Sequence, residues 1–361
     1  MTQNRKLSCL CLLCSILVML CPKPAHSFPA DFDGDGKNDF VVWRQPAANW
    51  YVWPSTYSVS HSCPPHFQQI SGASYLGCVA QWGLPGDKVL SGNYDHDGLA
   101  DLVVWRPSTG TWWIKFSSYD GVVGVQFGLP NDIPDEVNAD ITDAVSDLVV
   151  FRPSTLTWYV RSSIPPSYPT SIYLGGRMQT GRVDPLYAAS AIYDPLFDGT
   201  PNGPAYFSNA IDNKGYNFGV WSIVLMENQV SKYYEKTVHP TTSSLTSFIP
   251  VIGNFGGQAS DKADYAMWDK NNGTWSLYYN GGIPNGVHAI PWGLPGDIPL
   301  GGDYDGDGIT DFTVWRGAGS GGWEGTWFVK PSSGQCPSYM TPISGGGCYK
   351  QWGLSGDVPV S

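Results

Sequence analysis

The sequence is poor in the features by which enzymes, membrane proteins and nucleic-acid binders are usually read. It holds no G-x-S-x-G and no H-E-x-x-H, so neither an activated serine nor a metalloprotease helix is legible. Beyond residue 27 there is no C-x-x-C, which removes the ordinary dithiol redox motif. No later apolar run approaches the roughly 20 residues that a membrane-spanning helix needs. Basic side chains are scarce, 20 against 31 acidic ones, for a net charge of -11. Such a field disfavours nucleic acid and other polyanions as partners and favours divalent cations. The histidines past the first segment, His61, His66, His96, His239 and His288, sit in no recognisable motif.

What is present begins with an N-terminal leader. Arg5 and Lys6 precede an apolar run from Leu7 to Cys21, and a polar stretch ends in Ala25-His26-Ser27. That pattern predicts a secretory signal peptide over 1–27, cleaved after Ser27, and a soluble extracellular chain. A lipoprotein site is disfavoured because Leu20, not a small residue, precedes Cys21. The leader takes Cys9, Cys11, Cys14 and Cys21 with it, and also Arg5, Lys6 and Lys23, leaving 17 basic side chains (20 less three) against 31 acidic. Four cysteines remain and allow three pairings. Cys63 and Cys78 bracket a loop before "QWGLPGD", and Cys336 and Cys348 bracket the equivalent loop before "QWGLSGD". This context predicts two local bridges, Cys63–Cys78 and Cys336–Cys348, as structural staples.

Self-similarity is the strongest signal. "DFDGDGKNDFVVWR" from Asp31, "NYDHDGLADLVVWR" from Asn93 and "DYDGDGITDFTVWR" from Asp303 nearly superimpose. Weaker copies start at Asn138 and Asn254, and the stretch between those two has room for a further unit around Trp221. Each phrase leads to a Trp segment (Trp50, Trp112, Trp158, Trp275, Trp327) and most to a "GLPGD"-like closing phrase. In the second unit, strands are expected at 88–93, 102–106, 111–116 and 122–127, with Val, Ile, Trp and Phe between Gly, Pro, Asp and Asn. Repeated four-stranded units of about 40–60 residues indicate a β-propeller. The expected fold is therefore all-β, a six-bladed propeller of four-stranded antiparallel blades over 28–361. The units run approximately 28–90, 91–136, 137–185, 186–252, 253–300 and 301–361. Phe28 and Ser361 fall at one phase of the repeat, as a closed ring requires if no sheet edge is to remain.

The loop between the first two strands follows D/N-x-D-x-D-G-x-x-D in three units. Its side chains are Asp31, Asp33, Asp35 and Asp39; Asn93, Asp95, Asp97 and Asp101; and Asp303, Asp305, Asp307 and Asp311. Calcium takes six to eight oxygens at about 2.3–2.6 Å. Alternate carboxylates converge on such an ion if the chain turns sharply at Gly36, Gly98 and Gly308. The position-7 carbonyls of Lys37, Leu99 and Ile309 would add one oxygen each. An EF-hand would have glutamate at position 12, where Val42, Val104 and Val314 stand here, so no flanking helices are implied. About three Ca2+ sites are expected, in the sixth, first and second units. The loops marked by Asn138 and Asp140, by Asp194 and Asp198, and by Asn254 and Asp264 are too altered for tight sites.

At these loops the sequence resembles the FG-GAP repeats of integrin α-subunit propellers and the VCBS-type repeats of secreted bacterial proteins. The resemblance implies a propeller with calcium between the first two strands of a blade, held by the twelve side chains above. No inserted domain like that of some integrins is present, so integrin-type ligand recognition is not implied. The layout is also similar to a fungal lectin with integrin-like repeats, a kind that binds sugars between blades.

Three functional classes follow. A non-catalytic binding or adhesion module for glycans or cell surfaces is suggested by 16 Trp and 20 Tyr, since sugars stack on aromatic rings. Trp43, Trp105, Trp268 and Trp315 recur at one strand phase and read as core, leaving Trp53, Trp113 and Trp323 as candidate ligand contacts. Arg44, Arg106, Arg152 and Arg316 recur beside them and read as structural ties to carboxylates or carbonyls rather than an anion site. The second class is a protein-interaction or structural component of an extracellular assembly, with the divergent fourth unit as its surface. A polysaccharide-active enzyme is the third, and no motif supports it.

Overall fold

A computed structural model describes residues 30–56, 62–70, 77–137, 145–152, 154–155, 157–161, 171–174, 185–189, 205–211, 217–227, 230–238, 248–255, 264–278, 288–318 and 322–361. The leader and its cleavage site lie outside the described residues. Among those described there is no helix, and none therefore long and apolar enough to cross a membrane.

The repeat folds as antiparallel sheets. The first holds β1 (Phe40–Arg44), β2 (Asn49–Trp53), β3 (Gln68–Gln69) and β4 (Cys78–Gln81), paired in the order β1-β2-β4-β3. The second is β5 (Lys88–Gly92), β6 (Asp101–Arg106), β7 (Thr111–Lys115) and β8 (Val122–Gln126). The third is β9 (Ile133–Val137), β10 (Asp147–Arg152), β11 (Thr157–Arg161) and β12 (Ser171–Leu174). The fourth is β13 (Pro185–Ala189), β14 (Ala205–Ile211), β15 (Asn217–Glu227) and β16 (Val230–Val238). The fifth is β17 (Phe248–Gly253), β18 (Asp264–Asp269), β19 (Thr274–Tyr278) and β20 (His288–Pro291). The sixth is β21 (Ile298–Leu300), β22 (Phe312–Arg316), β23 (Thr326–Lys330), β24 (Thr341–Ile343) and β25 (Gly347–Gln351), paired β21-β22-β23-β25-β24. The last strand, β26 (Val358–Val360), returns to the first sheet as its inner strand, with Val360 opposite Val41 and Val358 opposite Trp43. Inner strands neighbour one another from sheet to sheet: β26 with β5, β5 with β9, β13 with β17, and β17 with β21.

The architecture is an all-β propeller with five blades built on the repeat: the first, second, third, fifth and sixth sheets. The count of six expected from the sequence is not supported. The fourth sheet is antiparallel, but its strands β14, β15 and β16 run to 7, 11 and 9 residues, against five or six for the second and third strands of the blades. Its sequence also carries none of the V-V-W-R phrase that fills the gap between blades.

That phrase explains the core. Second strands are buried along nearly their whole length, Phe40 to Trp43 and Asp101 to Trp105, because each is covered by neighbouring blades on both faces. Third strands alternate, with Trp50 and Val52 or Trp112 and Ile114 inward. The fully buried side chains of greatest volume are Trp43, Trp50, Trp105, Trp112, Trp268, Trp275, Trp315 and Trp327, as their fixed phase predicts. Except at Trp315, their polar edges are satisfied within the blade: the indole N–H groups of Trp105 and Trp112 both donate to the Phe127 carbonyl, and those of Trp268 and Trp275 to Trp292. Cys63–Cys78 and Cys336–Cys348 are bonded, with Cα separations of 5.6 and 5.8 Å, each anchoring a peripheral loop to an outer strand.

Candidate metal centre

Strand direction alternates, so each blade has two distinct ends. The loop from first to second strand and the turn after the third strand emerge at one end. The "GLPGD" turn entering the first strand and the turn joining the second and third emerge at the other. The acidic loops occupy the first end.

Three loops share one hydrogen-bond scheme. The position-1 side chain accepts from backbone N–H groups further along the loop: Asp31 from Gly34 (2.7 Å) and Gly36 (2.9 Å), and Asp303 from Gly306 and Gly308. Asn93 accepts from His96 and Asp97. This curl needs a positive φ at position 6, +81° at Gly36 and +86° at Gly308, which glycine adopts without strain. The position-9 carboxylate is buried and bridges two segments. Asp39 accepts from Phe32 N–H and Ser55 N–H, Asp101 from Tyr94 and Ser117, and Asp311 from Tyr304 and Ser332.

The serines are the residues that the sequence reading missed. Ser55 and Thr56, Ser117 and Ser118, and Ser332 and Ser333 follow the third strand and donate their hydroxyls to the loop carboxylates at positions 5 and 3 respectively. A signal existed: "PST", "FSS" and "PSS" fall at one phase of the repeat, from 54, 116 and 331.

The structure brings positions 1, 3 and 9 together. Asp31, Asp33 and Asp39 each offer an oxygen within 4.8 Å of the others, as do Asp303, Asp305 and Asp311. Oxygens on opposite sides of a calcium ion at about 2.4 Å stand about 4.8 Å apart, so each trio fits around one ion. Asp35 and Asp307 stand outside these trios, held by the Ser55 and Ser332 hydroxyls. In the second loop Asn93 replaces one carboxylate beside Asp95, Asp97 and Asp101. The position-7 residues Lys37, Leu99 and Ile309 donate their own N–H to Asp35, Asp97 and Asp307.

Electrostatics at this end are those of buried negative charge. Burial, followed by neighbouring carboxylates, raises Asp31 and Asp101 to about 7, Asp303 to about 6 and Asp311 to about 8, against backbone hydrogen bonds that pull the other way. Asp39 is pushed well above the usual carboxylate range by the same burial. Among the described residues no salt bridge reaches Asp31, Asp39, Asp101, Asp303 or Asp311. An all-oxygen set with surplus buried negative charge suits a hard divalent cation.

Of the altered loops, 138–144 and 190–200 lie outside the described residues. In the fifth blade Asn254 is engaged by the next loop, its carbonyl accepting from Thr310 N–H at 2.8 Å.

The three candidate ligand tryptophans do not form one surface. Trp53 packs edge-on against Trp352 and lies beneath Lys350, whose Nζ is 3.3 Å from the ring centroid. Trp113 lies beneath Arg106. Trp323 is 39% exposed and meets Tyr349 edge-on at 5.0 Å. The recurrent arginines are structural ties. Arg44, Arg106, Arg152 and Arg316 make two-pronged bonds of 2.7–2.9 Å to Asp357, Asp87, Asp132 and Asp297 of the closing phrases.

Set against protein-family models, curated proteins and solved structures, the chain matches none. The FG-GAP reading of the loops thus rests on their residues and spacing.

Proposed function

We propose that this chain is an extracellular, calcium-stabilised propeller of the FG-GAP/VCBS type that acts as a non-catalytic binding module for a protein partner. Calcium would be held at three loops by Asp31, Asp33, Asp35, Asp39 and the Lys37 carbonyl; by Asn93, Asp95, Asp97, Asp101 and the Leu99 carbonyl; and by Asp303, Asp305, Asp307, Asp311 and the Ile309 carbonyl. The ion neutralises charge and fixes the loops, and no reaction is assigned to it. The paired disulfides and the leader pattern support secretion.

One observation supports the choice of a protein partner. Eight of the eleven exposed large hydrophobics among the described residues stand at the end opposite the metal loops. Leu84, Leu129, Leu294 and Leu354 are 50–55% exposed at one phase of the repeat, and Ile133, Ile298, Val358 and Trp323 join them. Asp87, Asp132, Asp297 and Asp357 at that end are each neutralised by an arginine, so these buried carboxylates add no free negative charge beside the apolar side chains. Concentrated exposed apolar area of this kind marks interaction surfaces. A glycan reading is favoured only by the exposed Trp323–Tyr349 pair.

The test compares the purified chain with Leu84→Asp/Leu129→Asp, both shown by thermal melts to fold. Each is challenged at millimolar calcium with fractionated extracellular proteins and with a glycan array. Saturable protein binding that the double variant loses, at an unchanged melt, is expected. Equal protein binding by both chains, or binding confined to glycans and abolished by Trp323→Ala, overturns the reading.

A further inference from the structure

The acidic loops of successive blades are linked by their backbones. The N–H of position 8 in one loop donates to the carbonyl of position 1 in the loop before it. Thr310 donates to Asn254, Asn38 to Asp303, Ala100 to Asp31, and Ser146 to Asn93, at 2.7–2.8 Å. The chain of bonds runs without a break through the fifth, sixth, first, second and third blades. Three of its acceptors, Asp303, Asp31 and Asn93, are also the position-1 residues of the three intact loops.

Side chains reinforce these links. At the joint between the sixth and first blades, Asn38 Oδ1 accepts from Asp303 N–H at 2.9 Å. Tyr339 donates its hydroxyl to the Tyr304 carbonyl in the sixth loop, and Lys37 of the first loop stands over its ring, 5.8 Å from the centroid. Tyr304 stacks on Phe40, the residue after Asp39. The loops also interlock where a glycine is required. A Cβ at Gly34 would come within 2.6 Å of the Leu99 side chain, and one at Gly306 within 2.5 Å of Lys37. Position 4 of one loop is thus seated against position 7 of the next.

We infer, resting on the calcium reading above, that the three loops bind cations cooperatively as one unit spanning the seam where β26 joins the first sheet. An ion drawing in Asp303, Asp305 and Asp311 fixes the Asp303 carbonyl. That carbonyl holds the Asn38 amide, which lies between the Lys37 carbonyl and the Asp39 carboxylate of the next site. Two donors of the first loop are therefore ordered before its own ion arrives. The same step passes from Asp31 through Ala100 to Leu99 and Asp101. Ordering lost once need not be lost again at the neighbouring site, which is positive coupling without a large movement. Simple repulsion between bound cations would act in the opposite direction, so the sign of the effect is diagnostic.

The experiment is a titration of the calcium-stripped chain with Ca2+ by calorimetry, beside amide exchange. Cooperative filling of about three sites is expected. Asp305→Ala should remove one ion and also weaken the remaining sites by roughly 5-fold or more. In the unaltered chain, calcium should slow exchange at the Ser146 amide, which lies in a blade with no intact loop. Independent sites, anticooperative filling, a variant that loses one ion and leaves the others unchanged, or a Ser146 amide indifferent to calcium each overturn the coupling. If no calcium binds and chelator leaves the melt unmoved, the calcium reading itself fails.

Discussion

Each blade buries aspartates at both ends, and the two sets are treated differently. At the turn end Asp87, Asp132, Asp297 and Asp357 are nearly inaccessible, and each is gripped by a guanidinium. At the loop end Asp31, Asp39, Asp101, Asp303 and Asp311 are as deeply buried, yet they are met by hydrogen-bond donors and by no guanidinium. Burying a carboxylate without a countercharge is costly. One end of the blade is therefore electrically complete in itself, while the other, on the calcium reading proposed above, is completed by an added cation. The comparison separates a fastening that works in any medium from one that depends on the solution.

The largest effect should come from varying that solution. Three sites held at about 100 times their Kd would each add about 2.7 kcal/mol, or about 8 kcal/mol in all. Without calcium, the loop carboxylates have folded-state pKa values raised to about 6–8, against about 3.9 in the unfolded chain. The folded form then holds more protons, so their contribution is fully present below about pH 4 and is lost as pH rises toward 8. Melts in chelator should accordingly fall between pH 5 and pH 8, whereas melts in millimolar calcium should hold or rise over the same range. A chelated melt that rises with pH would show that these carboxylates are not strained by burial.

The turn end should respond to neither variable. Arg106→Ala leaves Asp87 buried and unpaired, which costs about 3 kcal/mol for a partly exposed arginine, the low end of the range for broken buried pairs. Chemical denaturation with and without calcium measures it, and the loss should be equal in both. Arg106→Lys should recover only part, because one ammonium cannot grip both oxygens. If the loss depended on calcium, the two ends would not be the separate devices their geometry indicates.

Much of this was legible from the repeat. The four strands of the second unit fall within a residue of the expected spans, because Gly, Pro and Asp punctuate apolar runs there. The tryptophan core, both cysteine pairs and the Arg–carboxylate ties were readable because each recurs at one phase. The blade count was not, since a repeat argument has no purchase on 186–252, where the repeat is absent. That Lys350 and Arg106 lie over the rings of Trp53 and Trp113 was not readable from the sequence. The serines were overlooked for a different reason. Their hydroxyls lie 20–28 residues along the chain from the carboxylates they serve, and only the sheet's return brings the two segments together.

Those serines give the finest test of the comparison. Ser332 donates its hydroxyl to Asp307 and its N–H to Asp311, so Ser332→Ala removes the first contact and keeps the second. A hydrogen bond to a charged but exposed carboxylate is worth about 1 kcal/mol, which corresponds to a few-fold change in calcium affinity. The hydroxyl could act in two opposite ways. By orienting Asp307 it would aid the cation, and the substitution would weaken binding. By competing with the cation for the same oxygens it would restrain it, and the substitution would tighten binding. Both Asp307 oxygens accept from this hydroxyl and one also accepts from Ile309 N–H, so the carboxylate is held in place before any ion arrives. Weaker calcium binding with an unchanged chelated melt is therefore the expected result, and tighter binding would show that the serine pairs stand in for the ion rather than prepare for it.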